Sequence, residues 1–147
     1  MISIGIDVSK EKSTICILKP YGEVVKAPFE ICHTKQELLK LISIINDLHE
    51  ESKVVVEATG YYHLPVVNTL IKSGIFVSVI NPLLMKRYAG TAIRKGKTDK
   101  IDAAKIASYG ISYWFELMPY SGSGDIYEEL NLLSRQYQQY INMKVKA

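Results

Sequence analysis

Three β-rich segments at the start of the chain constrain its fold most strongly. Residues 2–8 (ISIGIDV), 13–19 (STICILK) and 24–31 (VVKAPFEI) are rich in β-branched side chains, and short polar turns separate them. Strands joined by such tight turns form an antiparallel meander. Pro28 removes a backbone donor from the third segment, which predicts that this strand lies at a sheet edge or carries a bulge.

Helix and strand patterns alternate in the next part of the chain. A capping box at Thr34 and Glu37 begins an amphipathic helix. Residues 53–57 and 75–80 are nearly all apolar, which is typical of buried, parallel-type strands. The predicted helices span residues 35–50, 61–73, 82–88 and 98–109. A glycine- and lysine-rich loop over 89–97 joins the last two.

The predicted order, β-β-β-α-β-α-β-α-α, indicates an α/β fold with a mixed sheet flanked by helices. The ribonuclease-H-like fold has this order, and so does each half of the actin and sugar-kinase fold. We expect one domain over residues 1–120. The Ser121–Gly124 stretch (SGSG) is typical of a linker, and residues 121–147 are predicted to hold that linker and a final helix.

The final helix is predicted to begin at an Asp125 cap. Its apolar residues step by four, three, four and three, as in the seam of a coiled coil: Ile126, Leu130, Leu133, Tyr137 and Tyr140. The pattern predicts either the start of a coiled coil, through which the chain forms a homo-oligomer, or a helix that packs on its own domain.

Composition excludes some functional classes. The 147-residue chain has no apolar run long enough to cross a membrane and no signal-peptide pattern, so we expect a cytoplasmic protein without a membrane partner. Cys16 and Cys32 are predicted to be small buried hydrophobes in a reducing compartment. His33, His49 and His63 have no ligand-like spacing and are predicted to lie at or near the surface.

Basic residues are concentrated in the second half of the predicted domain. Between Ala58 and Phe115 the only acids are Asp99 and Asp102. The basic residues of this stretch are Lys72, Lys86, Arg87, Arg94, Lys95, Lys97, Lys100 and Lys105. Clustered Lys and Arg with few counter-acids favour a nucleic-acid partner, although a solvated helix face remains the alternative.

Four acids from three predicted elements carry the functional hypothesis. Asp7 and Glu57 end two strands, and the carboxyl ends of central strands meet at one sheet edge. Asp99 and Asp102 are three residues apart at a helix start and share a face. Hard oxygen ligands in this number suit Mg²⁺ or Mn²⁺, and two such ions support phosphodiester chemistry. Taken singly, Glu57 can equally precede a simple strand-to-helix turn.

Four motifs together resemble the DEDD transposases, the insertion-sequence recombinases that include the pilin-gene invertase and the bridge-RNA-guided enzymes. These motifs are GIDVSK (5–10), VVEATGYYH (55–63), INP (80–82) and KTDKIDAAKIA (97–107). The resemblance covers about residues 2–145. It implies that Asp7, Glu57, Asp99 and Asp102 are the catalytic, metal-binding acids that name the family, and that the domain is similar to the Holliday-junction resolvase RuvC.

The resemblance implies more about the whole protein. A coiled-coil segment and a second catalytic domain follow the first domain in this family, and a serine of that second domain attacks DNA. The serines Ser108, Ser112, Ser121, Ser123 and Ser134 do not match that serine's motif, so the chain is expected to be inactive alone. The implied partners are DNA, a guide RNA in some members, and a second subunit that completes a composite site.

Lesser roles can be assigned to basic and aromatic residues. The predicted phosphate contacts are Lys86, Arg87, Arg94, Lys95, Lys97 and Lys100. Thr98 either orients the aspartate turn together with Lys97 or serves only as a helix cap. Tyr61, Tyr62 and Tyr88 are candidates for base stacking, with core packing as the alternative.

Two other functional classes remain open at this point. The first is an actin-like ATPase or sugar-kinase half-domain, because GIDVSKEKSTICIL is similar to its first phosphate loop. Ser9-Lys10, however, stands where Gly-Thr or Gly-Gly is expected in that loop. The second is a non-catalytic module of ribonuclease-H-like fold that only holds RNA or DNA.

Overall fold

A computed structural model of the chain describes residues 1–90 and 98–120, together with positions 135, 137, 138 and 141. Its strands are β1 (Ile2–Val8), β2 (Lys12–Leu18), β3 (Val24–Cys32), β4 (Ser52–Glu57) and β5 (Val77–Ile80). Its helices are α1 (Lys35–Asn46), α2 (Leu64–Lys72), α3 (Pro82–Gly90) and α4 (Asp99–Ser112). The order of elements confirms the predicted α/β arrangement.

The five strands form one mixed sheet in the order β3-β2-β1-β4-β5. The β1–β2 and β2–β3 pairs are antiparallel, and the β1–β4 and β4–β5 pairs are parallel. The predicted hairpin unit followed by crossovers is therefore confirmed. Because β1 is the middle strand and β4 its parallel neighbour, their carboxyl ends lie side by side at one edge of the sheet.

The third strand is both an edge strand and a bulged one. Ile15 of β2 pairs with Phe29, but Ile17 pairs with Lys26, so β3 holds one residue more than β2 in this stretch, which contains Pro28. Cys32 ends this edge strand and is exposed, which corrects its prediction as a buried hydrophobe. Among the described elements, no strand pairs with the outer side of β3, so its side chains are less enclosed than those of a central strand. The periodicity of the sequence does not show that a strand lies at the edge.

Helices cover the two faces of the sheet. Alternate side chains of β1 and β4, such as Ile4 and Val54, pack with the apolar faces of α1 and α2 in the main core. The other set of alternate residues faces α4, where Val55 belongs to one apolar cluster with Ile106 and Cys16 to another with Ala107. The burial of Cys16 confirms the prediction made for it.

Small residues let α4 lie unusually close to the sheet. A β-carbon added at Gly5 of β1 would overlap the backbone of α4 at Ala103 and Ala107. A β-carbon at Gly110 would overlap the side chain of Ser3 and lie 2.8 Å from a methyl group of Val55. The backbone of α4 therefore rests directly on β1, and this contact determines where the first turn of α4 lies.

The first turn of the predicted second helix is instead a local turn stabilised by a histidine. The Thr59 N–H donates to His63 Nδ1 at 3.2 Å, and the Tyr62 N–H donates to the Thr59 carbonyl at 3.2 Å. Gly60 has a positive φ of 58°, so the chain leaves helical geometry there and α2 begins at Leu64 rather than residue 61. His63 is completely buried, which corrects the prediction that it lies near the surface.

Some predicted features lie outside the described residues: most of the loop over 89–97, the Ser121–Gly124 linker and most of the coiled-coil seam. Of that seam, Tyr137 is described as helical and exposed. No helix among the described residues is long and apolar enough to span a membrane.

Candidate metal centre

Asp7 stands near the carboxyl end of the central strand. It pairs with Thr14 of β2 and belongs to the set of β1 residues that faces α4, since Ser3 and Gly5 on the same strand contact that helix. Its side chain is partly buried, whereas the flanking Ile6 and Val8 point into the opposite core. The alternation of β1 thus turns one carboxylate toward the helix and keeps its neighbours apolar.

The aspartate pair opens α4. Thr98 caps this helix, because its hydroxyl oxygen accepts from the Ile101 N–H at 3.2 Å. Carboxylate oxygens of Asp7, Asp99 and Asp102 all lie within 4.8 Å of one another. The close contact of α4 with β1 therefore brings together three of the four acids selected from the sequence.

Glu57, the fourth acid, stands beside this group. It ends β4, is half-buried, and lines a small cleft of about 120 Å³ together with Asp102. Its negative charge also reaches Asp7, whose pKa it helps to raise. All four acids thus surround one end of α4, with the three aspartates closest together.

The electrostatics of the cluster are those of acids held close together. The pKa of Asp7 is raised from 3.8 to about 7, first by burial and then by the charges of Asp102, Asp99 and Glu57, in that order of importance. Burial, and then the charge of Asp102, also raises the pKa of Glu57. A cation among these oxygens would relieve the repulsion and favour the ionised forms.

The donor set fits a hard divalent metal ion. It contains only carboxylates, and three of them are already within 4.8 Å of one another. Such oxygen ligands are preferred by Mg²⁺, Mn²⁺ and Ca²⁺ rather than by soft metals. Asp99 is exposed, so solvent and a ligand have access to this side of the group.

The predicted basic residues are only partly described. Lys86 and Lys105 line the small cleft with Glu57 and Asp102, and Lys100 is exposed in the first turn of α4. Arg87 is exposed one residue after Lys86. The remaining candidates, Arg94, Lys95 and Lys97, lie outside the described residues. Lys105 was not selected as a phosphate contact, although its three-residue spacing from Asp102 puts it on the same helix face.

The aromatic candidates divide into two groups. Tyr61 and Tyr62 are 69% and 50% exposed in the turn after Glu57, so base stacking stays a prediction for them. Tyr88 packs edge-on against Tyr109 and Tyr113, with ring centroids 5.4 Å and 6.0 Å away, as the core-packing alternative requires. Sequence reasoning did not select Tyr109 and Tyr113, whose four-residue spacing was the available signal.

Comparison with known proteins bears on this site. A family model described as Transposase, of the DEDD type, matches residues 4–147. The pilin gene-inverting proteins of Moraxella lacunata and Moraxella bovis are each 30% identical over 110 residues, which is 73% of this chain and 33% of theirs. The chain thus spans about a third of the length of these relatives.

Solved structures agree on the fold. Thermus thermophilus RuvC in complex with a Holliday junction substrate superposes with a TM-score of 0.61 at 14% identity, covering 82% of this chain and 99% of that one. A second Thermus thermophilus RuvC structure gives a TM-score of 0.60 at 16% identity, with 82% and 100% covered. At such low identity the likeness concerns the RuvC-like, ribonuclease-H-like fold alone.

The family model extends over nearly the whole chain, and the acids selected from the sequence fall within its span. The chain therefore belongs to the DEDD transposase family.

Proposed function

We propose that this chain is the metal-binding nuclease part of a DNA transposase or site-specific recombinase. In this proposal Asp7, Glu57, Asp99 and Asp102 hold two Mg²⁺ or Mn²⁺ ions, and the protein cleaves and rejoins DNA strands. The observation that carries it is the meeting of oxygens from β1 and α4 within 4.8 Å. Membership of a transposase family supports DNA as the substrate.

The residues of the site have distinct tasks in this proposal. Bound ions would supply charge stabilisation for the attacking and leaving oxygens of a phosphodiester. Asp7, whose pKa is raised to about 7, gives up a proton when a cation binds, which makes metal affinity depend on pH. Lys86 and Lys105 flank Glu57 and Asp102 and would attract the DNA backbone to the cleft.

We expect the whole protein to need more than this chain. A second catalytic domain would supply the nucleophilic serine, and a second subunit, joined through the C-terminal helix, would complete a composite site. The basic surface would also suit a guide RNA. In the chain alone we therefore expect metal and DNA binding without recombination.

Metal binding by the chain tests the proposal directly. Mn²⁺ is expected to raise the melting temperature of the wild-type chain, and Asp7→Asn should abolish this rise. Asp47→Asn is the matched control, because Asp47 is an exposed acid at the end of α1, away from the cluster. Equal Mn²⁺ stabilisation of both variants would rule out the site.

Iron cleavage can locate the ions without any need for activity. Fe²⁺ bound in place of Mg²⁺ reduces added hydrogen peroxide to hydroxyl radicals, with ascorbate regenerating Fe²⁺, and these radicals cut nearby backbone, so fragments are expected near Asp7 and near Asp99–Asp102. Cuts elsewhere, unchanged by Asp7→Asn, would contradict the assignment. ATP-dependent stabilisation in place of metal-dependent stabilisation would favour the kinase-like alternative.

The non-catalytic alternative requires the longer protein. Asp7→Ala in a longer transposase that contains this chain is expected to abolish recombination and to retain nucleic-acid binding. Recombination that survives this substitution would favour a module that only holds nucleic acid.

A further inference from the structure

A second cleft lies between α3 and α4, next to the acidic cluster but separate from it. Its volume is about 400 Å³, several times that of the small cleft at Glu57. It is lined by Leu84, Arg87, Tyr88, Tyr109, Tyr113 and Glu116. None of these residues belongs to the proposed metal centre, and this size is in the range of small-ligand sites.

The aromatic walls of this cleft are held in place. The Tyr109 and Tyr113 rings lie with centroids 4.7 Å apart at an interplanar angle of 38°. The Tyr88 hydroxyl lies 2.8 Å from the Ser108 hydroxyl oxygen and 3.2 Å from that of Ser112. Tyr113 is 38% exposed, so part of a positioned ring remains available to a planar ligand.

The wall of the cleft that contains Tyr113 and Glu116 is held against β4 of the sheet. Lys53 of β4 donates to the Trp114 carbonyl at 2.9 Å, and its ammonium lies 4.6 Å from the Trp114 ring centroid and 4.9 Å from that of Phe76. Trp114 is buried and begins the short 3₁₀ turn that ends at Glu116. This contact fixes the position of Tyr113 and Glu116 relative to the core.

The cleft lies further along α4 than the proposed metal centre does. Asp102, Ile106 and Tyr109 step by four and three, so they form one stripe of α4, and Tyr113 is the cap residue directly after the helix. At a rise of about 1.5 Å per residue, Tyr109 lies roughly 10 Å and Tyr113 roughly 16 Å along the helix from Asp102. A few nucleotides of a single strand span such a distance.

The two clefts are also adjacent on α3, where Lys86 lines the small cleft and Arg87 the larger one. These two neighbouring cations of α3 therefore lie one beside each cleft. A strand whose phosphate lies at the acidic cluster could follow them, because each cation can pair with a phosphate.

Charge within the cleft discriminates among planar ligands. Burial, followed by the neighbouring Tyr113 and the negative charge of Glu116, raises the pKa of Tyr109. Glu116 and Tyr109 line the same cleft, and the charge of Glu116 reaches the Tyr109 hydroxyl. A carboxylate accepts from the N4 amino group of cytosine, whereas thymine has the O4 acceptor at the same position, which a carboxylate repels. Arg87 offsets the acid's repulsion of a polyanion.

We propose that this cleft binds one unpaired, amino-bearing base of a DNA strand, stacked on Tyr113 with its amino group toward Glu116. This proposal rests on the proposed function, because it takes the bound strand to be the DNA strand whose phosphodiester lies at the acidic cluster. The site would select for locally unpaired DNA near the point of cleavage.

The test compares two substitutions at one ring in the 147-residue chain. Anisotropy of fluorescein-labelled oligodeoxycytidine measures binding in EDTA, so that the acidic cluster holds no metal. Tyr113→Ala is expected to weaken binding about five- to a hundredfold, the usual effect of losing one stacked base. Tyr113→Phe keeps the stacking surface and should stay within about twofold of wild type. Neither should change the affinity for duplex DNA.

Base preference provides a second measurement. Wild type is expected to bind oligodeoxycytidine roughly three- to tenfold more tightly than oligodeoxythymidine, as one hydrogen bond would give. Glu116→Ala should abolish this preference. Under ultraviolet light, an oligonucleotide with 5-iododeoxycytidine should crosslink to the peptide that contains Tyr109 and Tyr113.

Several results would overturn the base site. These are equal binding by Tyr113→Ala and wild type, an equal loss for duplex DNA, or a loss confined to oligoribocytidine. Failure of the metal centre looks different, since Mn²⁺ would then not stabilise the chain while the Tyr113 effect remained. Failure of the base site alone would leave Mn²⁺ stabilisation intact.

Discussion

Gly5 of β1 and Ala107 of α4 are in backbone contact, so that a single β-carbon at residue 5 would overlap the Ala107 main chain. This contact sets the distance between the strand that carries Asp7 and the helix that carries Asp99 and Asp102. The geometry of the acidic cluster therefore depends on a residue that has no functional group.

Gly5→Ala is expected to push α4 away from β1. The overlap should destabilise the fold by about 1–3 kcal/mol, and the displaced aspartates should lower Mn²⁺ affinity by about tenfold. Urea unfolding and Mn²⁺ titration of the folded protein measure the two effects separately.

Ser3→Ala is the matched control on the same face of the same strand. The Ser3 hydroxyl is buried without a hydrogen-bond partner in the described structure, so its removal should cost little or increase stability by about 1 kcal/mol. Mn²⁺ affinity should not change. If Gly5→Ala binds Mn²⁺ as tightly as Ser3→Ala does, the helix position does not control the site.

Asp7 should make the metal-free protein less stable as the pH rises. Its pKa is 3.8 in the unfolded chain and about 7 in the folded one, so between these values the folded state binds more protons. Asp7 thus stabilises the fold below pH 4, and this contribution is lost as the pH rises to 7. Because Asp7 is partly solvated, we expect only about 1–2 kcal/mol.

Urea unfolding in EDTA from pH 4 to pH 8 measures this loss. Asp7→Asn should become increasingly stable relative to wild type over that range, whereas Asp47→Asn should not. Saturating Mg²⁺ at pH 8 should restore the stability of wild type alone. A pH-independent difference between wild type and Asp7→Asn would contradict the raised pKa.

His63 should act in the opposite direction. Its burial lowers its pKa below 6.5, so below pH 6.5 the unfolded chain takes up a proton that the folded chain resists. The stability that neutral His63 provides is present above pH 6.5 and is lost as the pH falls. His63→Asn keeps an acceptor for the Thr59 N–H, costs about 1–2 kcal/mol at neutral pH and removes this dependence.

Urea unfolding at pH 5 and pH 7.5 compares His63→Asn with His49→Asn. His49 has a positive φ of 52°, a conformation that asparagine tolerates, and it is exposed, which makes it the matched control. Between pH 7.5 and pH 5, wild type and His49→Asn should lose stability relative to His63→Asn, and by the same amount, because the opposing contribution of Asp7 is common to all three proteins. An unchanged difference between wild type and His63→Asn would place the responsible group elsewhere.

Lys86 should contribute to the affinity for duplex DNA. Lys86→Gln is expected to reduce the slope of log affinity against log salt by about 0.9, as one lost phosphate contact would. Lys40→Gln, an exposed cation on α1 on the opposite face of the sheet, should leave the slope unchanged. The measurement is the fluorescence anisotropy of a labelled duplex at several salt concentrations. Equal slopes for the two variants would show that Lys86 does not contact DNA.

Local patterns allowed much of this fold to be predicted from the sequence. The three N-terminal strands, the Thr34 and Thr98 caps and the strand-end positions of Asp7 and Glu57 all depend on residues close together in the chain. Alternation of side chains reveals which strand residues share a face, because the pleat has a period of two. It does not reveal which helix covers that face.

Sequence alone was sufficient to predict the first hairpins of the sheet, the starts of α1, α3 and α4, and the strand-end positions of Asp7 and Glu57, since caps, turns and periodicity act over a few residues. The packing of distant segments was needed to show that Cys32 is exposed, that His63 is buried, and that Tyr88, Tyr109 and Tyr113 line one cleft. These outcomes depend on how closely distant segments approach. That distance is governed by packing between small residues such as Gly5 and Ala107. These two residues are far apart in the sequence, so their contact is visible only in the folded chain.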